Sequence, residues 1–256
     1  MKDKILKILY SLFLRYNYTY RYLTNSFDSE MKLIPELVNH NRRAIDIGAN
    51  IGIYSRYLSN IFEQVEAFEP LMEASKYLKN ANLKNVTVYN IALSDYKGNV
   101  DFNIPVKKGV ERYGNSSIEN SISNKFDEVK HINVRTEKLD NYKFENIDFI
   151  KIDVEGHEMQ VLKGAQKTIQ KNKPVIQIEI ETRHLPEKIK IKDIFHWFNN
   201  CGYEGYFFKD NELNSIEKFN EEYQNKYLDK NNSIKLSNKL KSKLYVNNFF
   251  MVPDEI

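Results

Sequence analysis

Residues 44 to 53, Ala-Ile-Asp-Ile-Gly-Ala-Asn-Ile-Gly-Ile, form an apolar run that breaks into a turn of small residues, and 23 positions after Asp46 a second apolar stretch ends in Glu69. Ala44, Ile45 and Ile47 suit a parallel strand buried on both faces. Gly48 and Gly52 let backbone N–H groups and the start of the following helix approach a ligand closely. Val65, Ala67 and Phe68 deliver Glu69 to the tip of the next strand, where an acid accepts hydrogen bonds from both hydroxyls of a ribose. Asp46, at the end of the first strand, orients the turn or accepts from a ligand's ammonium group. The loop lacks the full Gly-x-Gly-x-x-Gly signature: Asn50 stands at the second glycine, and Ile53, Tyr54 or Ser55 where a third is expected. That pattern argues against a dinucleotide pyrophosphate and leaves a cofactor with no phosphate to cradle.

The rest of the chain alternates short apolar runs with helix-like segments, the pattern of βα units in a doubly wound sheet. Strands are expected at Ala44–Ile47, Val65–Phe68, Val86–Asn90, Val100–Ile104, Ile132–Thr136, Asp148–Val154, Val175–Glu179, Tyr203–Phe208 and Leu244–Val252, the last two closing the sheet as an antiparallel edge. Helices are expected around Ile53–Phe62, Met72–Asn82, Met159–Lys171 and Ile189–Asn200, the last closed by Gly202. This gives a helical extension over residues 1–35 and one α/β domain over 36–256. Within that domain, the polar stretch 107–130 reads as a mobile loop over the site and the Asn- and Lys-rich stretch 209–241 as a polar insertion.

Charge and cysteine content narrow the function classes. With 38 basic and 35 acidic residues the net charge is +3, which leaves no nucleic-acid footprint. The single cysteine, Cys201, permits neither an internal disulfide nor a Cys-based zinc site and points to a reducing, cytoplasmic compartment. The uncharged run Ile8–Leu14 is far shorter than the ~20 residues that span a bilayer. Two readings stand for the amino-terminal helix: packing on the domain or on a second copy as a homodimer, or lying on a membrane surface. Tyr16, Tyr18, Tyr20 and Tyr22 suit either stacking on sugar rings or a dimer interface.

A second constellation is Ile150-Lys-Ile-Asp-Val-Glu-Gly-His-Glu158, a buried-strand pattern that empties into four titratable groups around one glycine. Asp153, Glu155, His157 and Glu158 offer a general base, an orienting carboxylate or ligands for a divalent cation. Glu155 and Glu158 also suit the first turn of a helix. A histidine beside two acids at a strand-to-helix junction is placed for proton transfer near neutrality. Ser94 and Asp95, after Ala92-Leu93, suit either a turn or recognition of a base edge. Glu179 is a site wall or a strand end, and in the 107–130 loop Asn115 and Ser116 are candidates for substrate contact.

Together these segments resemble the FkbM family of S-adenosylmethionine-dependent methyltransferases. The matching pieces are Asp46-Ile-Gly-Ala-Asn-Ile-Gly52, Glu69-Pro70, Ala92-Leu-Ser-Asp95, Lys138-Leu-Asp140, Asp153-Val-Glu-Gly-His-Glu158 and Val161-Leu-Lys-Gly-Ala165, in family order over roughly residues 40 to 180. The resemblance implies a mostly parallel, seven-stranded Rossmann-like sheet and O-methylation, often of sugar or natural-product hydroxyls. It places the methionine part of S-adenosylmethionine near Asp46, Gly48, Asn50 and Gly52, the ribose on Glu69 and the adenine near Ser94 and Asp95. Asp153 and His157 then face the methyl group, with His157 as base and Asp153 or Glu155 as its orienting partner. Glu158 and Glu179 join Asn115 and Ser116 on the acceptor side, the acceptor being a hydroxyl-bearing small molecule or glycan. A metal held by Asp153, Glu155 and Glu158 is the rival use of the acids and is not the favoured one. The rival functions are an NAD-linked oxidoreductase and a non-catalytic glycan-binding module.

Overall fold

A computed structural model describes residues 12, 16, 29–111, 116–118, 127–210, 212–230, 232–237, 240 and 244–254. The 3₁₀ turn Ser29–Leu33 and helix α1 (Ile34–Leu37) precede strand β1 (Arg43–Ile47), followed by α2 (Ile53–Leu58), β2 (Gln64–Phe68), α3 (Met72–Asn80), β3 (Val86–Tyr89) and β4 (Ala92–Leu93). Next come β5 (Gly98–Lys107), β6 (Val110–Glu111), β7 (Glu128–Glu137), β8 (Ile147–Ile152), α4 (Glu158–Gly164), α5 (Gln166–Asn172) and β9 (Val175–Glu179). The described chain closes with α6 (Ile191–Asn200), β10 (Tyr203–Lys209), β11 (Glu212–Ser215), α7 (Glu222–Asn225) and β12 (Asn248–Pro253).

The main sheet runs β11-β10-β12-β9-β8-β1-β2-β3, and its stretch from β9 to β3 is parallel. Its strands are apolar on both faces because helices cover both. Ile45, Ile47, Ile150 and Ile178 face Val161, Ile169, Ile194 and Phe198 of α4, α5 and α6. Ala44, Val65 and Phe149 face Ile34, Leu58 and Phe62 on the other side. Each fully buried large aliphatic or aromatic side chain contributes about 1.5–3 kcal/mol, so the two apolar layers fix the strand register.

Four expectations need correction. The sheet has eight strands rather than seven, because β11 folds back on β10 as a hairpin within the polar stretch 209–241. The last strand begins at Asn248, not at residue 244, and is interior: β12 lies antiparallel between β9 and β10. Its apolar Phe249, Phe250 and Met251, all buried, explain why it takes an inner place. The helix expected over Met159–Lys171 is two helices that meet at Ala165, where the Asp140 carboxylate accepts from the backbone N–H groups of Lys167 and Thr168 at 3.2 and 2.8 Å and caps α5 from outside. Finally, Val100–Ile104 and Ile132–Thr136 lie in neither edge of the main sheet. They belong to a separate four-stranded sheet, β4-β7-β5-β6, in which β5 and β7 pair from Gly98 opposite Thr136 to Val106 opposite Glu128.

Of the stretch 107–130, residues 110–111 form β6 and 128–130 open β7, while Asn115 and the rest of 112–115 and 119–126 lie outside the described residues. Within 209–241, Gln224 is buried and donates to the carbonyls of Ile180 and Val246, so part of that polar stretch is seated in the fold. Most of the amino-terminal extension, including Tyr18, Tyr20 and Tyr22, also lies outside the described residues. Among the described residues no helix is long and apolar enough to cross a membrane.

Candidate active site

The carboxyl ends of β1, β2, β8 and β9 open on one edge of the sheet, and the loops that follow them build the site. Gly48 has φ +82, and a Cβ there would lie 1.8 Å from the Asp153 carbonyl oxygen, so the loops after β1 and β8 pack backbone against backbone. Gly48 and Ala49 both donate to the Phe68 carbonyl at 3.0 Å. Asn50 holds φ +49 and its amide oxygen accepts from Ile51 N–H at 2.8 Å, a short-range bond that makes an asparagine tolerable in the left-handed region. Gly52, at φ +91, starts α2 with its Cα against Leu78 of α3. It shapes the turn and does not line a cleft.

Glu69 ties two loops together. One carboxylate oxygen accepts Asn50 N–H at 2.8 Å and the other accepts Leu71 N–H at 2.7 Å. Burial pushes its pKa up to about 7 despite those two donors. Each oxygen still has capacity for a further donor, as a ribose diol requires. Asn90 completes the corner by donating to the Glu69 and Pro70 carbonyls at 2.9 and 2.8 Å. Asp46 is buried too, accepts the Ser55 hydroxyl at 2.5 Å and is pushed up by burial to about 6. Through Ser55 it also orients the start of α2.

The loop after β8 carries the second constellation. Glu155 has φ +52 and Gly156 φ +102, and a Cβ on Gly156 would meet the His184 carbonyl oxygen at 2.2 Å. The Glu155 carboxylate pairs with His184 Nδ1, and the Ser117 hydroxyl donates to the Glu155 carbonyl at 2.6 Å. His157 precedes α4, is buried, and sets Nε2 3.0 Å from the Ser94 hydroxyl. Glu158 turns inward: one oxygen accepts Gly156 N–H at 3.0 Å, the other is buried with no hydrogen-bond partner among the described residues, and burial pushes the group up to about 7. It caps its own loop. Glu179 accepts from Asn247 at 2.5 Å at the end of β9.

Two adjoining clefts result. The first is walled by apolar Leu71, Ile91 and Leu93 and carries Glu69, Glu155, His157 and Ser116. The second, beside α2, carries Asp46, Tyr54, Lys151 and Met31. Gly48, Asn50 and Asp153 line both, and Asp153 is the only titratable residue the two share among the described residues. Ser94, Asp95, Glu158 and Glu179 line neither cleft. Lys151 is missed by motif reading, although a lysine inside the apolar run Phe149–Ile152 is itself a signal. Its buried ammonium lies 4.0 Å from Asp153, 3.3 Å from the Asn248 amide oxygen and 5.0 Å from the Tyr54 ring. His184, by contrast, has no local pattern that links it to Glu155. Among the described residues, no group of three or more His, Cys, Asp or Glu is placed to hold a metal ion.

A family model described as the methyltransferase FkbM domain matches residues 46–204. Among solved structures, the chain is similar to the methyltransferase FkbM from Methylobacillus flagellatus KT, with 16% identity, 82% of this chain and 43% of that chain covered, and a TM-score of 0.51. This chain thus spans less than half the length of that protein. A putative rRNA methylase from Clostridium thermocellum matches with 9% identity, 88% and 93% coverage and a TM-score of 0.47. A putative methyltransferase from Streptococcus mutans, solved with SAH, matches with 13% identity, 73% and 90% coverage and a TM-score of 0.41. No curated protein matches the sequence.

Proposed function

We propose that this chain, which belongs to the methyltransferase FkbM family, is an S-adenosylmethionine-dependent methyltransferase that methylates a hydroxyl, that of a sugar in a glycan or surface polysaccharide. The lining of the two clefts supports this reading. Glu69 holds the ribose hydroxyls, Leu71, Ile91 and Leu93 flank the adenine from the first cleft, and Asp46, Gly48 and Asn50 receive the amino-acid end in the second. Ser94 and Asp95 support the adenine wall from behind. S-adenosylmethionine brings a methyl group already activated by its sulfonium, so the chain's own work is alignment and removal of a proton.

The observation that carries this reading is Asp153, the acid shared by both clefts. Its carboxylate takes the acceptor's proton. An alcohol needs such a base to become an effective nucleophile, whereas amines and thiolates attack without one. His157 is the alternative base, and its hydrogen bond to Ser94 supports a role in holding the wall of the first cleft. Ser116 contacts the acceptor from the first cleft, and Glu158 and Glu179 support that side from inside the fold.

The test is mass spectrometry of candidate glycans after incubation with the enzyme and deuterated-methyl cofactor. A deuterated methyl ether on a sugar ring is the expected product. Label found only on nitrogen, sulfur or a carboxyl ester overturns the proposal.

A further inference from the structure

The loop that carries Asp153 holds two consecutive residues in the left-handed region, Glu155 at φ +52 and Gly156 at φ +102. A non-glycine residue there is strained and persists only where its surroundings impose it. Four restraints impose it here. His184 Nδ1 pairs with the Glu155 carboxylate, Ser117 donates to the Glu155 carbonyl, the Glu158 carboxylate accepts Gly156 N–H, and the His184 carbonyl packs so closely on Gly156 that only a glycine fits. His184 supplies two of the four restraints.

His184 is itself seated by a fixed turn. Its N–H donates to the Glu181 carbonyl at 2.9 Å, and Glu181 is held by Arg183, by the Tyr245 hydroxyl at 3.1 Å and by Asn247 at 2.9 Å. The charged groups facing the imidazole are Glu155 and Glu158 from the β8 loop and Arg183 and Glu181 from its own turn. Burial pushes the imidazole pKa down and Glu155 more than offsets it, so the group sits above the ordinary histidine value.

We propose that His184, through its ion pair with Glu155, is the positioning residue that holds the Glu155–Gly156 turn and with it Asp153 in the arrangement methyl transfer needs. The inference rests on Asp153 standing at the reacting end of the cofactor. The pair is ionic while the imidazole keeps its proton, and as pH rises past that point it weakens to a hydrogen bond between a neutral ring and the carboxylate. Turnover therefore declines on the alkaline side, while the cofactor grip of Glu69, which His184 does not touch, is preserved.

The test combines pH profiles of turnover for wild type, His184→Gln, Glu155→Gln and the double variant with NMR titration of the His184 ring and hydrogen exchange at Gly156 and Glu158. In the wild type, turnover and amide protection are expected to fall at the pH where the His184 ring titrates. His184→Gln is expected to lose roughly ten- to a hundredfold in turnover, to lack that alkaline decline and to keep its KM for the cofactor. The double variant is expected to be no worse than either single one. A His184→Gln enzyme with the wild-type decline and wild-type exchange rates overturns the proposal. Should that variant fail to fold, a wild-type decline at a pH unrelated to the His184 titration overturns it equally. Exchange and NMR need no acceptor, so a failed hydroxyl assignment is told apart from a failed role for His184.

Discussion

Replacing Glu69 with glutamine separates stability from binding, because the same burial that makes the carboxylate costly makes it useful. Glu69 sits at about 7 against an ordinary 4.5, and at 1.36 kcal/mol per unit that difference is about 3 kcal/mol. The folded pKa lies above the unfolded one, so the contribution is fully present below pH 4.5 and is lost as pH rises through about 7. Glutamine cannot ionise, so the variant escapes that loss. It gives up one acceptor, however, and leaves Asn50 N–H or Leu71 N–H facing an amide NH₂, at a cost of about 1–2 kcal/mol. The two stability curves therefore cross: Glu69→Gln is less stable than wild type at pH 4 and more stable at pH 8, each by about 1–2 kcal/mol. Urea unfolding of the free protein at the two pH values reads this directly. Binding moves the other way at pH 8. A neutral amide offers the ribose diol one acceptor in place of a charged pair, and a loss of about 2 kcal/mol weakens S-adenosylhomocysteine roughly thirtyfold. A variant destabilised equally at both pH values, or one that binds like wild type, refutes the reasoning.

Gly48→Ala is expected to lose at least about 3 kcal/mol in urea unfolding, since its Cβ would stand 1.8 Å from the Asp153 carbonyl at a φ of +82; wild-type stability contradicts the packing of these two loops. Asp153→Asn is expected to lower turnover by about a hundredfold or more with S-adenosylhomocysteine affinity retained, as removal of a general base does. His157→Ala is expected to lower turnover less, and the reverse order in steady-state assays transfers the proton-accepting role to His157.

Much of the main sheet is legible in the sequence because its strands are buried on both faces and read as unbroken apolar runs, as in Ala44–Ile47 and Ile147–Ile152. The Asp46–Gly52 turn and Glu69 are legible because close backbone approach leaves a record in residue type: glycine where φ is positive, an acid at a strand tip. The second sheet is less so. β5 and β7 pair across an intervening polar stretch, and β4 is only the dipeptide Ala92–Leu93, which no periodicity distinguishes from a turn. The candidate residues can be listed from the sequence, but their partners cannot. Glu158 looks available in the sequence, yet it bends back to cap Gly156. His157 lies two residues from Glu155, yet the carboxylate meets His184 from a turn beyond β9. Such pairings depend on which loops share the carboxyl edge of the sheet, and that follows from strand order, which sequence spacing does not encode.

In the proposed arrangement one cofactor lies across both clefts with its reacting sulfur at their junction. A crystal structure of this chain with S-adenosylhomocysteine decides it. The ribose hydroxyls are expected on the Glu69 carboxylate, the adenine between Leu71 and Ile91–Leu93, the amino-acid end in the second cleft, and Asp153 as the titratable group nearest the sulfur. A nucleoside bound away from Glu69, or a sulfur nearer His157 than Asp153, contradicts it.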